Sequence, residues 1–508
     1  MNAKRFFLLM FLCSAPALLA DYVTPGSGVH FNMDSLVVRS GGAVSGDSGN
    51  YAISQTIQVA VGDTLSIFGG DTLIFTGGGG GSLTLEINGV LLASGSEGDS
   101  ILISAEAAVP GAFYGLRFRD TGPGSDFQLH YAKLFYATRA IDVFGADATI
   151  AHCRIEQTSE VAVDLGESSS LITDCRIANN RQRAITMTLS SSPTIRNCRF
   201  LENNIENNSP YNIISIGLQG VNSPIITGNH ITGRYSRSGG ISIWNDSNAL
   251  IENNLIENCA FGILCYSVNA NPLIRNNVIR DNTVNPDTQL YGFGIASNGA
   301  NRPVITGNDI YGQFYGVAII NGGQPNVGNL NNADTTDDGY NRFLGNGIGA
   351  TRYELFNNNA LPIMAQNNWW GSAVRDSIED RIVHQPDGAG YGLVTFEPYQ
   401  TDSILVGIEP LSIALPKSLR LLPAYPNPFN PETNLRFELP GPGVVQVTIF
   451  NALGQKIREF YPGEMLAGLQ SLRWDGRDAR GQTVGSGVYI YRISAGEHSA
   501  SGKLLLVR

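Results

Sequence analysis

The sequence predicts an all-β chain in which a parallel β-helix is followed by a smaller β-sandwich. Three observations predict it: the composition, an internal repeat, and a change of pattern after about residue 420. Charged residues make up 15% of the 508 residues and glycine accounts for 59 of them, against about 25% and about 7% in an average soluble protein. The formal net charge of −11 argues against a nucleic-acid partner, because such proteins carry a basic surface.

Residues 1–20 have the organisation of a secretory signal peptide. Lys4 and Arg5 precede a short apolar run, Phe6–Leu12, and small residues follow up to Ala20. A charged start, a short apolar segment and small residues near the cleavage point define such a signal. The run is too short to span a bilayer, and no other stretch could span one. We therefore expect no integral membrane segment after cleavage.

An eight-residue phrase recurs seven times in the middle of the chain, and Pro224–Ile231 and Pro272–Ile279 are two of its copies. The copies start at residues 148, 170, 193, 224, 249, 272 and 303, with steps of 22 to 31 residues. Short apolar runs of period two that are broken by Asn, Gly and Pro are typical of strands and turns. A coil of three strands, each paired in parallel with the next coil about 4.8 Å away, satisfies this pattern. We assign residues 21–400 to such a β-helix.

The positions of the phrase predict which side chains stack inside. The sixth position holds Asn229, Asn254, Asn277 and Asn308, which we expect to bond to one another and to the backbone. In earlier copies the sixth position holds cysteines; neighbours there could form a disulfide, but we favour free buried thiols. The third position supplies an inward aliphatic stack that consists of Ile150, Ile172, Ile195, Ile226, Ile251, Ile274 and Ile305.

These phrases resemble the repeats of the pectin-lyase-like superfamily, and the resemblance implies a right-handed parallel β-helix. It covers about residues 110–370 well and the preceding residues more weakly. The segment Ala365–Gly371 is similar to the one that closes many bacterial helices of this kind. Trp369 and Trp370 would then cover the last coil, and sugar stacking is the alternative role for them.

Residues 401–420 are predicted to be a linker, and residues 421–508 an immunoglobulin-like sandwich. Asn451–Gly454, Trp474–Gly476 and Gly485–Gly487 are hairpin turn patterns. Six or seven short strands in about 90 residues suggest that fold. The predicted strands are Thr433–Leu439, Val444–Phe450, Lys456–Tyr461, Gln470–Trp474, Gly487–Ile493 and Lys503–Val507.

The order of these motifs is similar to the type A sorting domain of the type IX secretion system, which overlaps the FlgD-like immunoglobulin family. The resemblance implies export through the periplasm, recognition of this tail by the type IX machinery, and release or attachment at the outer surface. An ordinary accessory β-domain is the alternative. The residues that carry the resemblance are Pro426, Asn427, Pro428, Phe429, Gly454, Gly487, Tyr489, Lys503 and Arg508.

Two rows of charge are candidates for chemistry on the β-helix. Asp142 and Asp164 share one outward position on successive coils, where like charges repel, and a Ca²⁺ ion would relieve this. Calcium is the only cofactor that the sequence leaves open. Arg154 and Arg176 begin a second row with Arg199; it could grip an acidic polymer, or be a solvated face, which we favour. Asp142, Asp164, Arg154 and Arg176 are the candidate catalytic residues.

Aromatic residues supply the candidate binding surface. Trp244 and Tyr266 end equivalent strands one coil apart, and Tyr291 and Tyr315 follow on later coils. Such rings could stack on the sugars of an extracellular polysaccharide. We favour a non-catalytic secreted or surface protein that is structural or binds glycans. A polysaccharide lyase, glycoside hydrolase or epimerase on the same fold is the alternative.

Overall fold

The computed structural model describes residues 21–77, 81–119, 125–217, 219–402, 418–425, 427–431, 433–440, 443–465 and 468–507. The predicted signal peptide, most of the predicted linker, Pro426 and Arg508 lie outside these residues. The chain divides between residues 408 and 409 into two compact units. Among the described residues, no helix combines the length and the apolar character needed to cross a bilayer.

The first unit is a right-handed parallel β-helix, in which each coil contributes one strand in turn to three sheets, named here A, B and C. Over the described residues, sheet A has 14 strands: Tyr22–Val23, Ile57–Val59, Thr84–Ile87, Gly115–Arg119, Ile141–Phe144, Val163–Gly166, Ile185–Thr188, Asn212–Ile216, Gly239–Trp244, Ile263–Tyr266, Phe293–Asn298, Tyr315–Ile320, Leu355–Asn358 and Ile382–Val383. Sheet B, over the same residues, has 11: His30–Asn32, Thr64–Phe68, Val90–Ser94, Asp126–His130, Ala148–Ala151, Leu171–Thr173, Thr194–Arg196, Ile225–Thr227, Leu250–Glu252, Leu273–Arg275 and Val304–Thr306.

Sheet C, again counted over the described residues, has 13 strands, and only its first pair is antiparallel. They are Val44–Asp47, Asn50–Ile53, Thr72–Phe75, Ile101–Ala105, Ala132–Phe135, Arg154–Glu156, Arg176–Ala178, Arg199–Leu201, His230–Thr232, Leu255–Glu257, Val278–Arg280, Asp309–Tyr311 and Arg342–Leu344. Short elements at the C-terminal end are the pairs Gly347–Ile348 with Thr351–Arg352 and Ile363–Met364 with Val394–Thr395, the α-helix Arg375–Glu379, and the 3₁₀ helices Thr335–Asp337 and Gln385–Asp387.

The predicted aliphatic stack runs down the interior. Ile195 pairs in parallel register with Ile226, which pairs with Ile251, and all three are fully buried. Side chains alternate between the two faces of a strand, so one face of every strand faces this core. The β-helix prediction is therefore confirmed.

Both ends of the solenoid are covered. The helix Met33–Arg39 closes the first coils with Met33 and Leu36 buried, and Asn32 caps its N-terminus. At the other end Trp370 is fully buried and stacks on Phe343, with ring centroids 4.6 Å apart. Trp370 therefore covers the core as predicted, and sugar stacking is wrong for this residue because no sugar can reach it.

The predicted asparagine row is present at the corner between sheets B and C. The backbone N–H and the side-chain amide of Asn254 both donate to Oδ1 of Asn277. The row continues beyond the predicted copies to Asn341 and Asn368. A second row, which we did not predict, includes Asn180 and Asn203. Cys153, Cys175, Cys198, Cys259 and Cys265 are free and buried.

The second unit is the predicted small β-sandwich. Its three-stranded sheet comprises Arg420–Tyr425, Thr433–Leu439 and Gly468–Trp474, and its four-stranded sheet comprises Lys456–Met465, Gly443–Asn451, Gly487–Ala495 and His498–Leu506. The Asn451–Gly454 hairpin is present, with Gly454 at φ +77°. The prediction of a hairpin at Trp474–Gly476 was wrong, because the chain crosses there from the three-stranded sheet to the four-stranded sheet. The first strand begins at Arg420, one residue inside the predicted linker.

Candidate functional site

The outer face of sheet A collects most of the predicted site residues. Parallel pairing brings the same position of each strand into one column, because alternate residues point outward. The column is charged in its first coils and small, polar or apolar further on. It runs Glu86, Arg117, Asp142, Asp164, Thr186, Ser215, Ser242 and Leu264.

Asp142 is the centre of an ion-pair network. The Tyr114 hydroxyl donates to Asp142 Oδ2 at 2.9 Å, and Arg119 Nη2 donates to the same atom at 2.8 Å. Arg117 lies between two carboxylates, with Nη1 3.2 Å from Glu86 and Nε 3.6 Å from Asp142. Asp142 lies on the outer face of sheet A as predicted, but it is only 8% exposed because these neighbours cover its carboxylate. Burial, followed by the negative charge of Asp142, raises the pKa of the Tyr114 hydroxyl.

Asp164 lies beside Asp142 as predicted and also has an arginine partner. Arg139 Nη1 is 2.6 Å from Asp164, and Arg139 Nε is 2.8 Å from Glu160. Burial raises the pKa of the Asp164 carboxyl above its ordinary value. The repulsion expected between Asp142 and Asp164 is thus relieved by the guanidinium groups of Arg119 and Arg139 rather than by a metal ion. No group of three or more His, Cys, Asp or Glu side chains that could hold a metal ion occurs among the described residues.

Arg183 and Thr186 are polar groups of this face that sequence reasoning missed. The Arg183 guanidinium lies 4.2 Å from the centre of the Tyr211 ring, and it forms no ion pair with any described residue. Burial lowers the pKa of Arg183. The Thr186 hydroxyl is buried without a hydrogen-bond partner among the described residues. The Arg183 guanidinium can therefore bind a polar ligand without first breaking an ion pair, whereas the Thr186 hydroxyl is covered.

Trp244 and Tyr266 form an aromatic pair on adjacent strands. Their ring centroids are 4.5 Å apart and the ring planes are inclined by 53°. Trp244 Nε1 donates to Ser242 Oγ at 3.2 Å, and Asn212 Nδ2 donates to the same atom at 2.6 Å. Tyr266 is 38% exposed. The structure thus places two candidate rings and two polar side chains on neighbouring coils.

Tyr291 and Tyr315 belong to a separate aromatic cluster nearer the C-terminal end of sheet A. Tyr315 lies 5.6 Å from Phe293, 5.1 Å from Tyr353 and 5.3 Å from Phe356, measured between ring centroids. Tyr291 and Tyr315 are partly buried against a small hydrophobic cluster that includes Phe293. Packing therefore accounts for much of their surface, and Tyr353 and Phe356 are members that we did not predict.

Arg154 and Arg176 lie on sheet C and not on sheet A. Their side chains contact Glu156, with Nε to Oε1 distances of 2.8 Å and 2.9 Å. The two candidate pairs, Arg154 with Arg176 and Asp142 with Asp164, therefore lie on different sheets and are not brought together.

Most residues that suggested a sorting domain have structural roles in the second unit. Asn427 Nδ2 donates to the carbonyl of Lys503 at 3.0 Å, and Asn427 Oδ1 accepts from the Leu505 N–H at 2.7 Å. Phe429 packs on Trp474 in the core, and the Tyr489 hydroxyl donates to the Gly485 carbonyl. Pro428 lies in the bend that follows the strand Arg420–Tyr425, and Gly487 begins the strand Gly487–Ala495. The Lys503 side chain is exposed.

The family models agree with the two units. A model described as a right-handed beta helix region matches residues 132–213 and 201–333, and the FlgD Ig-like domain model matches residues 427–499. The chain is thus a right-handed β-helix followed by a small β-domain that is similar to the FlgD Ig-like domain. No curated protein matches it.

Solved structures show only distant likeness. Latent PorU from Porphyromonas gingivalis is 19% identical over 18% of this chain, with a TM-score of 0.16. An alginate lyase from Paenibacillus sp. is 11% identical over 64% of this chain and 95% of its own, with a TM-score of 0.34. The periplasmic alginate epimerase AlgG is 13% identical over 73% and 83%, with a TM-score of 0.36. The chain spans only 9% of PorU, and 11% of PorZ from the same species.

Proposed function

We propose that this protein is exported from a bacterial cell and that its β-helix binds an extracellular polysaccharide along the outer face of sheet A without cleaving it. The observation that carries the proposal is the Trp244–Tyr266 pair on the outer face of sheet A, in which Tyr266 is 38% exposed. The buried Ser242 and Asn212 side chains support the Trp244 ring from below, and exposed aromatic rings are what sugar rings stack on.

The shape of the face supports an extended ligand. Neighbouring coils repeat about every 4.8 Å, so equivalent contacts recur along the axis of the solenoid. Arg183 lies two coils before Trp244, where it offers a cation to the same polysaccharide chain. Binding along several coils needs no deep pocket.

The ion pairs of Asp142 and Asp164 support a binding role over catalysis. A general base or nucleophile needs a carboxylate that can reach the substrate. Both carboxylates are instead engaged by Arg119 and Arg139. A polysaccharide-cleaving or epimerising enzyme is the second candidate, because the same network concentrates carboxylates, arginines and the Tyr114 hydroxyl on one face.

Binding is tested by affinity electrophoresis and calorimetry against a panel of neutral and acidic polysaccharides. We expect Trp244→Ala/Tyr266→Ala to weaken binding by about tenfold or more, because each aromatic contact contributes about 0.5–1.5 kcal/mol beyond its buried area. Phe68→Ala is the matched control, since Phe68 is 54% exposed on sheet B. Equal binding by the double variant and the control would contradict this assignment.

Catalysis is tested on the same panel by measuring new reducing ends and unsaturated products. We expect no product from the wild-type protein. If product forms, Asp142→Asn and Asp164→Asn separate true activity from a contaminant, because loss of product in these variants would establish the enzymatic alternative.

For export, we propose that the second unit is recognised by a type IX secretion machinery. The similarity of its motifs supports this, and Lys503 is an exposed, charged member of that set. We expect a chain that ends at Asp402, before the Arg420 strand, to accumulate in the periplasm of a host with this system. We expect Lys503→Ala to reduce export while Arg480→Ala, at another exposed position, does not. Normal export of the truncated chain would refute the proposal.

A further inference from the structure

The outer face of sheet A changes from charged to uncharged along the axis of the solenoid. Its charged part ends at Asp164, whose carboxylate pairs with Arg139. From the strand Asn212–Ile216 to the strand Leu355–Asn358, neither of the two outward columns holds a side chain that is charged at neutral pH. The first of these columns consists of Ser215, Ser242, Leu264, Ala296, Ala318 and Phe356.

The second outward column contains the aromatic pair. It begins with Trp244 and Tyr266 and continues through Asn298 and Ile320 to Asn358. Aromatic rings pack on the C–H groups of a sugar ring, whereas a carboxylate or a sulfate is bound by cations and convergent N–H donors. Two rings, an isoleucine and two amides therefore match an uncharged sugar chain better than an anionic one.

The few charges near these strands do not favour an anion. Three charged residues lie within two positions of a strand of this stretch, and Arg237 is the one cation among them. Its Nη1 donates to the carbonyl of Asn208 at 2.9 Å. Asp246 Oδ1 accepts a hydrogen bond from Asn269 Nδ2 at 2.8 Å, and the Glu354 carboxylate is fully buried. The chain as a whole carries a formal net charge of −11, which repels a polyanion at low salt.

The geometry of the aromatic pair favours a single chain as the ligand. The ring centroids of Trp244 and Tyr266 are 4.5 Å apart, and the ring planes are inclined by 53°. A flat surface of packed chains cannot lie on both rings at once. A single chain can contact both, because its successive sugar rings rotate about the bonds that link them. The pair is therefore suited to a dispersed polysaccharide rather than to a crystalline one.

We propose that the ligand of sheet A is a single chain of an uncharged polysaccharide whose sugar rings present apolar faces. This inference rests on the proposed function and specifies its substrate class. A cellulose-type glucan has this chemistry, because its ring substituents are equatorial and leave C–H groups on both faces. Its hydroxyl groups would meet the amides of Asn298 and Asn358. Arg183, on the coil before the strand Asn212–Ile216, can donate to hydroxyl oxygens, because a guanidinium N–H needs no charged acceptor.

The probes are hydroxyethylcellulose and carboxymethylcellulose, which share one backbone and differ in charge, and microcrystalline cellulose, which supplies a flat packed surface. In calorimetry with the full mature chain, we expect hydroxyethylcellulose to bind with the same affinity at low and high salt, because stacking on rings is not screened. Carboxymethylcellulose should bind about threefold more weakly at low salt, because the acidic protein repels it. Microcrystalline cellulose should not remove the protein from solution.

A charge placed beside the aromatic pair tests where the ligand runs. Leu264 lies two residues before Tyr266 on the same face of one strand, and the stem of a lysine can replace its apolar contacts. We expect Leu264→Lys to tighten the binding of carboxymethylcellulose about threefold, which is the size of one exposed charge pair, without this gain for hydroxyethylcellulose. Ile225→Lys is the matched control, because Ile225 is exposed on the outer face of sheet B. Thermal melting verifies the fold, and the wild-type comparison decides the question even if Leu264→Lys fails to fold.

Stronger binding of carboxymethylcellulose, or of any other acidic polymer, than of hydroxyethylcellulose by the wild-type protein would overturn this inference. An equal effect of Leu264→Lys and its control would do the same, and depletion by microcrystalline cellulose would refute the single-chain ligand. These results leave the proposed function standing if Trp244→Ala/Tyr266→Ala still weakens binding. If that double variant binds every polymer as the wild-type protein does, or if no polysaccharide of the panel binds, the proposed function itself fails.

Discussion

Truncating one asparagine in the buried row should destabilise the β-helix far more than truncating an exposed asparagine. The substitution is Asn277→Ala. Asn277 is fully buried, and its Oδ1 accepts both the backbone N–H of Asn254 at 3.0 Å and the side-chain amide of Asn254 at 2.9 Å. Its own amide donates to Oδ1 of Asn308 at 2.9 Å and to two backbone carbonyls.

The magnitude follows from the groups that lose their partners. The Asn254 side-chain amide keeps two carbonyl acceptors, but the Asn254 backbone N–H is left buried without one. An orphaned buried donor costs about 1–3 kcal/mol, and the two N–H groups of the lost Asn277 amide contribute about 1 kcal/mol each. We therefore expect Asn277→Ala to lower the free energy of unfolding by about 3–5 kcal/mol.

The assay is a urea titration followed by circular dichroism and tryptophan fluorescence. Asn208→Ala is the matched control, because Asn208 is exposed and its amide bonds only Glu206, two residues away. A surface change of this kind usually shifts stability by less than about 0.5 kcal/mol. Asn308→Ala should resemble Asn277→Ala, and the double variant should cost less than the two single changes combined, because they share a bond. A midpoint for Asn277→Ala that coincides with that of the control would refute this reasoning.

Three other predictions follow from the same structure. Trp370→Ala should lower stability by about 3–5 kcal/mol, whereas Trp370→Phe should cost less, because the indole N–H is buried without a partner among the described residues; thermal melting compares them. Burial raises the pKa of Glu257, but its hydrogen bonds and charge interactions with His230 and Arg280 together hold that pKa below its ordinary value. The stability that this carboxylate contributes should therefore be present at neutral pH and be lost on acidification. Glu257→Gln should flatten the acidic part of the profile of melting temperature against pH. The five buried thiols should be inert to Ellman's reagent in the native protein and react on unfolding; labelling without denaturant would contradict their burial.

The interior of the β-helix could be predicted because the same place in each coil must satisfy the same environment. The isoleucine stack and the asparagine row both follow from this repetition. The second polar row lies ten residues after each phrase begins, where Asn180, Asn203 and Asn282 recur. That regularity was visible in the sequence, but the residues fall after the last predicted strand of the coil. They looked like ordinary loop residues.

The candidate site was less predictable because its partners come from irregular parts of the chain. Arg117 and Arg119 belong to a coil before the regular phrases begin, and Arg139 lies on a turn. Tyr211, which supports Arg183, lies inside one of the longer insertions between copies. Pairing position by position predicts which residues share a column, but it does not predict which side chains reach across from a neighbouring turn.

The register that stacks isoleucines inside also stacks charges outside, and the two faces meet that constraint in different ways. On sheet A, arginines alternate with or flank the carboxylates, so Asp142 and Asp164 both have arginine partners. Trp244 and Tyr266 are then the groups that remain to contact a ligand. On sheet C, one carboxylate serves two basic side chains: Glu156 is shared by Arg154 and Arg176, and Glu257 by His230 and Arg280. Stacking on sugar rings depends weakly on salt, whereas attraction of a polyanion depends on it strongly. Salt dependence therefore tests the binding mode of sheet A: if Trp244 and Tyr266 carry the binding, retention of a polysaccharide should survive high salt.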